Sequence, residues 1–260
     1  MDAAPRIRAT APRASPGERV VYPLVALNCA VTLAWKAAPS SPLMWSFFTS
    51  GGAIPRSPLA RITSPLLATF SHSSALHLAC NMAGLASVGP LVVNGRETPA
   101  SPRLTPREFL GLYGAAGVLA SLGAARFSAR SGTGRPGLGA SGALFGMLAF
   151  FAAAHPDASL MLFFVARVPA GDAMLLATTL NAALVAQEAL AARGRAPPPA
   201  IDGVAHLVGT AVGYAAFHVA AARARERARI SPGARRAPPA PPHAPRVVRI
   251  PVPPGASVDV

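Results

Sequence analysis

Apolar residues run along this chain in long blocks, and most of its arginines and prolines fall between those blocks or in the two tails. Six blocks reach or approach the roughly 20 residues that a helix needs to cross a hydrocarbon core. They lie at about 20–38, 64–93, 108–127, 139–155, 172–191 and 203–221. The second is long enough to contain a turn or a tilted, polar entry half. The fourth is short, as a helix is when its start lies below the membrane surface in a water-filled cavity. The pattern predicts an all-α, polytopic membrane protein: a polar basic tail at 1–19, a six-transmembrane-helix bundle at 20–221, and a basic, Pro-rich tail at 222–260. The tails are expected to be disordered.

Composition agrees with the pattern. Of 260 residues, 52% are hydrophobic and 13% charged, against roughly 25% charged in an ordinary soluble domain. The net charge of +14 comes from 23 Arg and one Lys. Because those arginines bracket apolar segments, they express membrane topology and not nucleic-acid binding. With six crossings, the N-tail, the 94–107 loop, the 156–171 loop and the C-tail share one side and carry 16 arginines. The opposite side carries seven and Lys36. Both termini are therefore expected to face the positive compartment, cytosol or matrix. The N-tail lacks the apolar stretch of a cleavable signal, so the first crossing reads as an uncleaved anchor, with a weak organellar targeting sequence as the alternative. Cys29 and Cys80 lie in apolar stretches and read as small buried hydrophobes. Trp35 and Trp45 read as interfacial anchors.

Polar groups inside apolar helices are costly and point to function. His72, His77 and Asn81 lie in the entry half of the second segment, Ser141 at the start of the fourth and His206 at the start of the sixth. All three helices begin on the same side, so separate stretches deliver these groups to one depth. His77 and Asn81, four apart, share a helical face, whereas His72, five before His77, points elsewhere. Gly209 and Gly213 lie within about 60° of His206 around a helix of 3.6 residues per turn. They form a small-residue stripe that lets two backbones approach. Gly139, Gly142 and Gly146 offer a matching surface beside Ser141. Each element alone has a bland reading, as helix glue or packing. Together, a serine, a histidine and a His/Asn pair aimed at one depth suggest a serine hydrolase working within a membrane.

Three stretches carry a family resemblance: Ser71-His72-Ser73-Ser74-Ala75-Leu76-His77-Leu78-Ala79-Cys80-Asn81-Met82, Gly139-Ala140-Ser141-Gly142-Ala143, and Ala205-His206-Leu207-Val208-Gly209 with Gly213. In this order they resemble the rhomboid intramembrane serine proteases, over about residues 20–221. Phe47-Phe48-Thr49-Ser50 and Ser64 to His72 look most like the mitochondrial, presenilin-associated rhomboid-like branch. The resemblance implies a Ser141–His206 catalytic dyad without a third acid, and an oxyanion hole made by the Ser141 backbone N–H with His77 and Asn81. It implies supporting roles for Gly139, Gly142, Gly209 and Gly213. His72 carries over as a structural polar residue. Phe145, four after Ser141, is placed to pack on the His206 ring, with core filling as the alternative.

The resemblance implies an endopeptidase that cuts single-pass membrane proteins in or beside their transmembrane helix, with no cofactor and no metal. The lipid bilayer, including anionic lipids at the basic tails, is the other expected partner. Nucleic acid is not. A catalytically inactive rhomboid-like protein that binds transmembrane clients is the alternative. An intramembrane aspartyl protease would need Asp172 and Asp202 together, yet they begin consecutive crossings on opposite faces. A transporter would call for charge pairs or broken helices at mid-depth. The mitochondrial inner membrane is the expected location, another cellular membrane the alternative. That branch usually carries an extra crossing before the core, and here about 19 polar residues precede the first segment. Two expectations follow, a six-crossing member or a gene model lacking an exon.

Overall fold

The computed structural model describes residues 14–52, 54–94, 102–162 and 166–230. Most of the N-tail, part of the 94–107 loop and the tail from 231 lie outside the described residues. The chain folds as a helical bundle: α1 (Pro16–Ala37), α2 (Pro42–Phe47), α3 (Pro58–Leu67), α4 (Ala75–Asn94), α5 (Pro106–Ser131), α6 (Ser141–Ala154), α7 (Ala170–Ala191) and α8 (Gly203–Ile230). Four short strands complete it. β1 (Ser50–Gly51) pairs antiparallel with β2 (Pro136–Gly137), and β3 (Ser159–Leu162) with β4 (Ala166–Pro169).

Among the described residues, five helices, α1, α4, α5, α7 and α8, are long and apolar enough to cross a membrane. At 14 residues, α6 rises only about 21 Å, which agrees with the short fourth block. The second block contains a turn, one of the two readings its length allowed: α3 ends at Leu67, a 3₁₀ turn covers Ala68–Phe70, and α4 starts only at Ala75. The Ser71-His72-Ser73-Ser74 run offers side-chain oxygens that compete with helical backbone bonds, and Ser74 Oγ accepts from the His77 N–H at 3.1 Å. The last block is also longer than expected. Residues 222–230, assigned above to the disordered tail, continue α8, because their Ala, Arg and Glu are strong helix formers. An ion pair from Arg223 Nη1 to Glu108 Oε1 at 2.5 Å ties that extension to the start of α5.

Sequence signals explain the helix starts. Ser15 and Thr105 form capping boxes with Glu18 and Glu108, each followed by proline in the first turn, the residue whose missing N–H costs nothing there. Asp202 Oδ1 accepts from the Ala205 N–H at 2.9 Å at the start of α8.

The burial pattern is that of a protein dissolved in lipid. Large apolar side chains such as Leu33, Ile62, Leu76 and Leu175 are 64–79% exposed, while Asn28, Thr32, Asn81, Asn181 and His206 are buried. Helix pairs are held by small residues where no hydrophobic drive operates. The tightest pair is α6 with α8, which run parallel: a Cβ at Gly209 would overlap the Gly142 carbonyl, and one at Gly213 the Gly146 carbonyl. The same glycine face of α6 also meets α5, where a Cβ at Gly146 would lie 2.7 Å from Ala116 Cβ and 3.1 Å from the Gly209 carbonyl oxygen. Packing also joins α4 to α6 in parallel, with Gly84 against the Leu144 side chain and Gly89 against Met147 Sδ and Val21.

Replacing Gly213 by valine is expected to lower the thermal midpoint of the detergent-solubilised protein, since overpacking costs about 1–3 kcal/mol. Far-UV circular dichroism on heating reads the effect. The control, Gly111→Ala, adds a Cβ that meets nothing and leaves the midpoint level or slightly higher. Equal midpoints for Gly213→Val and the parent would refute the close α6–α8 approach.

Candidate active site

Ser141 opens α6 and His206 lies in the first turn of α8. The glycine contacts between these helices fix their register: Gly142 lies against Gly209 and Gly146 against Gly213. Between Gly142 and Gly146, the Phe145 ring of α6 stacks on the His206 imidazole, with centroids 4.2 Å apart and planes 13° apart. Phe145 also packs against the hydrophobic core, so both readings of it above describe its surroundings. In this conformation the Ser141 hydroxyl makes no hydrogen bond to His206. Such bonds are commonly long before substrate binds.

The turn before α6 brings in α4. Gly139 has φ +133°, a conformation that L side chains rarely adopt, and its N–H donates to the Ala68 carbonyl at 2.9 Å. A Cβ there would lie 2.8 Å from His77 Cε1, 3.1 Å from His77 Nε2 and 3.7 Å from Ser141 Oγ. Glycine is thus the residue that lets imidazole and hydroxyl close over the same backbone atom. The β1–β2 pair sets this turn from below, with Ser50 opposite Gly137 and Ser50 Oγ donating to the Gly137 carbonyl at 3.3 Å.

His77 and Asn81 both lie on α4, four residues apart as the shared-face argument requires. The Gly84–Leu144 contact, followed back one turn on both helices, sets Asn81 at the level of Ser141. Asn81 is buried, and its Nδ2 has no hydrogen-bond partner. Asn28 Oδ1 and His72 Nε2 are the other unpartnered buried side-chain atoms among the described residues. Asn81 Nδ2 alone of these three is necessarily a donor.

His72 is corrected in detail. It lies in the loop before α4, so helical spacing does not direct it away from His77. The two rings pack edge to face at 5.0 Å, and His72 Nδ1 lies 3.5 Å from Thr32 Oγ1 of α1. The His72 ring thus sits between α1 and His77. Beside it, Trp35 Nε1 donates to Ser71 Oγ at 3.0 Å, and Trp45 lies edge to face on Trp35 at 5.2 Å. On α5, a Cβ at Gly117 would lie 2.6 Å from Thr69 Oγ1, which holds the 3₁₀ turn from its other side. Asp172 and Asp202 lie at opposite ends of the antiparallel α7–α8 pair, and the Asp202 carboxylate caps α8. Burial pushes its carboxyl up, opposed by backbone N–H bonds from Ala205 and Val204 and by the nearby Arg135 guanidinium.

A family model for the rhomboid domain matches residues 59–223, more than half of the chain. The chain belongs to the rhomboid family. Its rhomboid core is 33% identical over 157 residues to the human presenilin-associated rhomboid-like protein, mitochondrial, covering 58% of this chain and 37% of that protein. The zebrafish presenilin-associated rhomboid-like protein A, mitochondrial, is 30% identical over 173 residues, 65% of this chain and 42% of the relative. Rhomboid protein 1, mitochondrial, of Saccharomyces cerevisiae is 32% identical over 170 residues, 64% and 45% respectively. The chain spans less than half the length of these curated relatives. Apolar helices and mitochondrial rhomboid relatives together support a mitochondrial integral membrane protein, as expected from the sequence.

One buried partner of the rhomboid site has no place in the sequence reading. Asn181 of α7 meets His206 Nδ1 through its Oδ1 at 2.7 Å. Its only sequence signal is an asparagine in the middle of the fifth apolar block.

Replacing Gly139 by alanine is expected to push His77 from its place, because the new methyl lies 2.8 Å from the ring in a disfavoured backbone conformation. Amide hydrogen exchange over the first turns of α4 and α6 should speed up relative to the parent. Unchanged protection in both turns would show that the contact does not constrain them.

Proposed function

We propose that this rhomboid-family chain is an intramembrane serine endopeptidase with Ser141 as nucleophile and His206 as its general base. The observation that carries the reading is the buried Asn81 N–H donor with no acceptor, level with the first turn of α6. An unpaired buried donor costs about 1–3 kcal/mol. That cost makes sense where an oxyanion is to form.

In the reaction, Ser141 Oγ bonds to the scissile carbonyl carbon while its proton passes to His206 Nε2. The carbonyl oxygen becomes an oxyanion, held by the Ser141 N–H, by Asn81 Nδ2 and by His77. The Ser141 N–H belongs to the first helical turn, where no intrahelical acceptor exists and the helix dipole favours negative charge. Collapse of the tetrahedral species breaks the C–N bond, and His206 returns the proton to the departing amine. Water then repeats the sequence on the acyl-enzyme. His77 Nδ1 lies 3.3 Å from Ser73 Oγ, leaving Nε2, the atom beside Gly139 and Ser141, available to the oxyanion.

The substrate class is membrane proteins with a single transmembrane helix, which must unwind locally to expose a peptide bond, favoured by glycine and other weak helix formers. The mitochondrial inner membrane is the proposed location, with the site on the face opposite the arginine-rich termini. Those arginines suit anionic headgroups.

A fluorophosphonate probe is expected to label the purified chain at Ser141, with labelling lost in Ser141→Ala and His206→Ala. Asn81→Ala should lower kcat by on the order of 10²–10³, as loss of an oxyanion donor does, with KM little changed. Labelling that persists in Ser141→Ala moves the nucleophile elsewhere. A folded parent that is never labelled supports the client-binding, inactive alternative.

A further inference from the structure

We infer that Asn181 is a positioning residue for His206: its side-chain oxygen selects the histidine tautomer that leaves Nε2 unprotonated, and it sets the rotation of the ring. The inference rests on the Ser–His reading above and extends it to a third helix.

The hydrogen bonds around Asn181 leave little freedom. Its Nδ2 donates to the Ala177 carbonyl at 2.7 Å, so the atom turned toward the imidazole is the carbonyl oxygen, 2.7 Å from His206 Nδ1. Reversing the amide would set two oxygens 2.7 Å apart on one side, with no proton between them. An amide oxygen accepts only. Nδ1 must therefore carry a hydrogen, and in a neutral imidazole the lone pair then sits on Nε2, on the edge away from α7. The tautomer of a histidine is set by the bond its other nitrogen makes. In water the opposite tautomer, with the proton on Nε2, is preferred, and it could not take the serine proton at Nε2.

Burial strengthens the assignment. Asn181 is 5% exposed and His206 8%, so water competes poorly for the bond, which is worth more than a surface contact. Phe145 fixes the plane of the ring from α6, and Asn181 fixes its rotation within that plane from α7. When His206 becomes an imidazolium, the Nδ1–H bond to Asn181 becomes charge-assisted and tightens, without any proton leaving Nδ1. The α7–α8 contact that makes this possible is close: a Cβ at Gly203 would lie 2.5 Å from the backbone oxygen of Asn181.

The test is nitrogen NMR of the full chain in lipid bilayers with ¹⁵N-labelled histidine, His206 being assigned by its loss in His206→Ala. The parent should show His206 protonated on Nδ1 and bare on Nε2. Asn181→Leu should shift it to the Nε2–H tautomer and lower kcat roughly 10- to 100-fold, as small misplacements of a catalytic group do, with KM little changed. Asn181→Asp, whose buried carboxyl keeps its proton on the oxygen facing the Ala177 carbonyl and presents the other oxygen to His206, should retain the Nδ1–H tautomer and recover most of kcat, even where the leucine variant folds poorly. A parent His206 protonated on Nε2 overturns the inference, as does Asn181→Leu with tautomer and kcat both unchanged. Failure of the protease reading looks different: the tautomer responds to Asn181, yet the parent neither cleaves nor reacts with fluorophosphonate.

Discussion

Backbone contact between α6 and α8 is the constraint on which the rest depends. Neither helix could bring its polar residue to the other across ordinary side chains, because a typical interaxial distance of 8–10 Å would separate Ser141 from His206. Paired glycines remove that spacing. Gly142 and Gly146 present their carbonyls to Gly209 and Gly213, and the same two α6 glycines admit Ala120 and Ala116 of the adjoining α5. The small-residue face of α6 thus seats in the angle between α5 and α8, and its polar end is held by geometry instead of by polar attraction. In lipid this is an economical solution, since apolar side chains gain nothing by leaving one oily phase for another.

The second requirement is to hold irregular backbone where no water can satisfy it. The stretch from Ala68 to Ser74 meets that need with protein partners on several sides. The Ala68 carbonyl accepts from Gly139, Ser71 accepts from Trp35, and Thr69 is buried against α5. Non-helical chain is tolerated in a membrane protein where protein encloses it. The same enclosure supports His77: the loop residue His72 leans on α1 through Thr32 and on His77 through its ring. An error in α1 would be felt two helices away.

Much of this was legible from residues alone, for reasons that can be named. Apolar blocks of the right length announce crossings, and the 14-residue α6 is visible as a short block because its start is polar and glycine-rich. His77 and Asn81 share a face because helical spacing is a local property. The stretch from 64 to 93 is long enough to announce a turn, but the place of that turn is hidden because Ser and His count as brief interruptions in a hydropathy pattern, whereas their side chains cap and bend the backbone. The extension of α8 to Ile230 escapes for the opposite reason: an Arg- and Ala-rich segment looks like a tail to a hydropathy measure, while its helix propensity and the Arg223–Glu108 pair keep it folded. Asn181 lies 25 residues from His206 in the chain, and nothing local links them. Only the docking of α7 on α8 does so.

The placement of Trp35 has one more consequence. The chain contains two tryptophans, and both stand together: Trp35 on α1, bonded to Ser71, and Trp45 edge-on against it. Indole emission is sensitive to hydrogen bonding and polarity at the ring nitrogen. Intrinsic fluorescence from this molecule therefore reports on one corner, the junction of α1 with the loop that carries His72, and gives an optical window onto the wall of the candidate site without any added label.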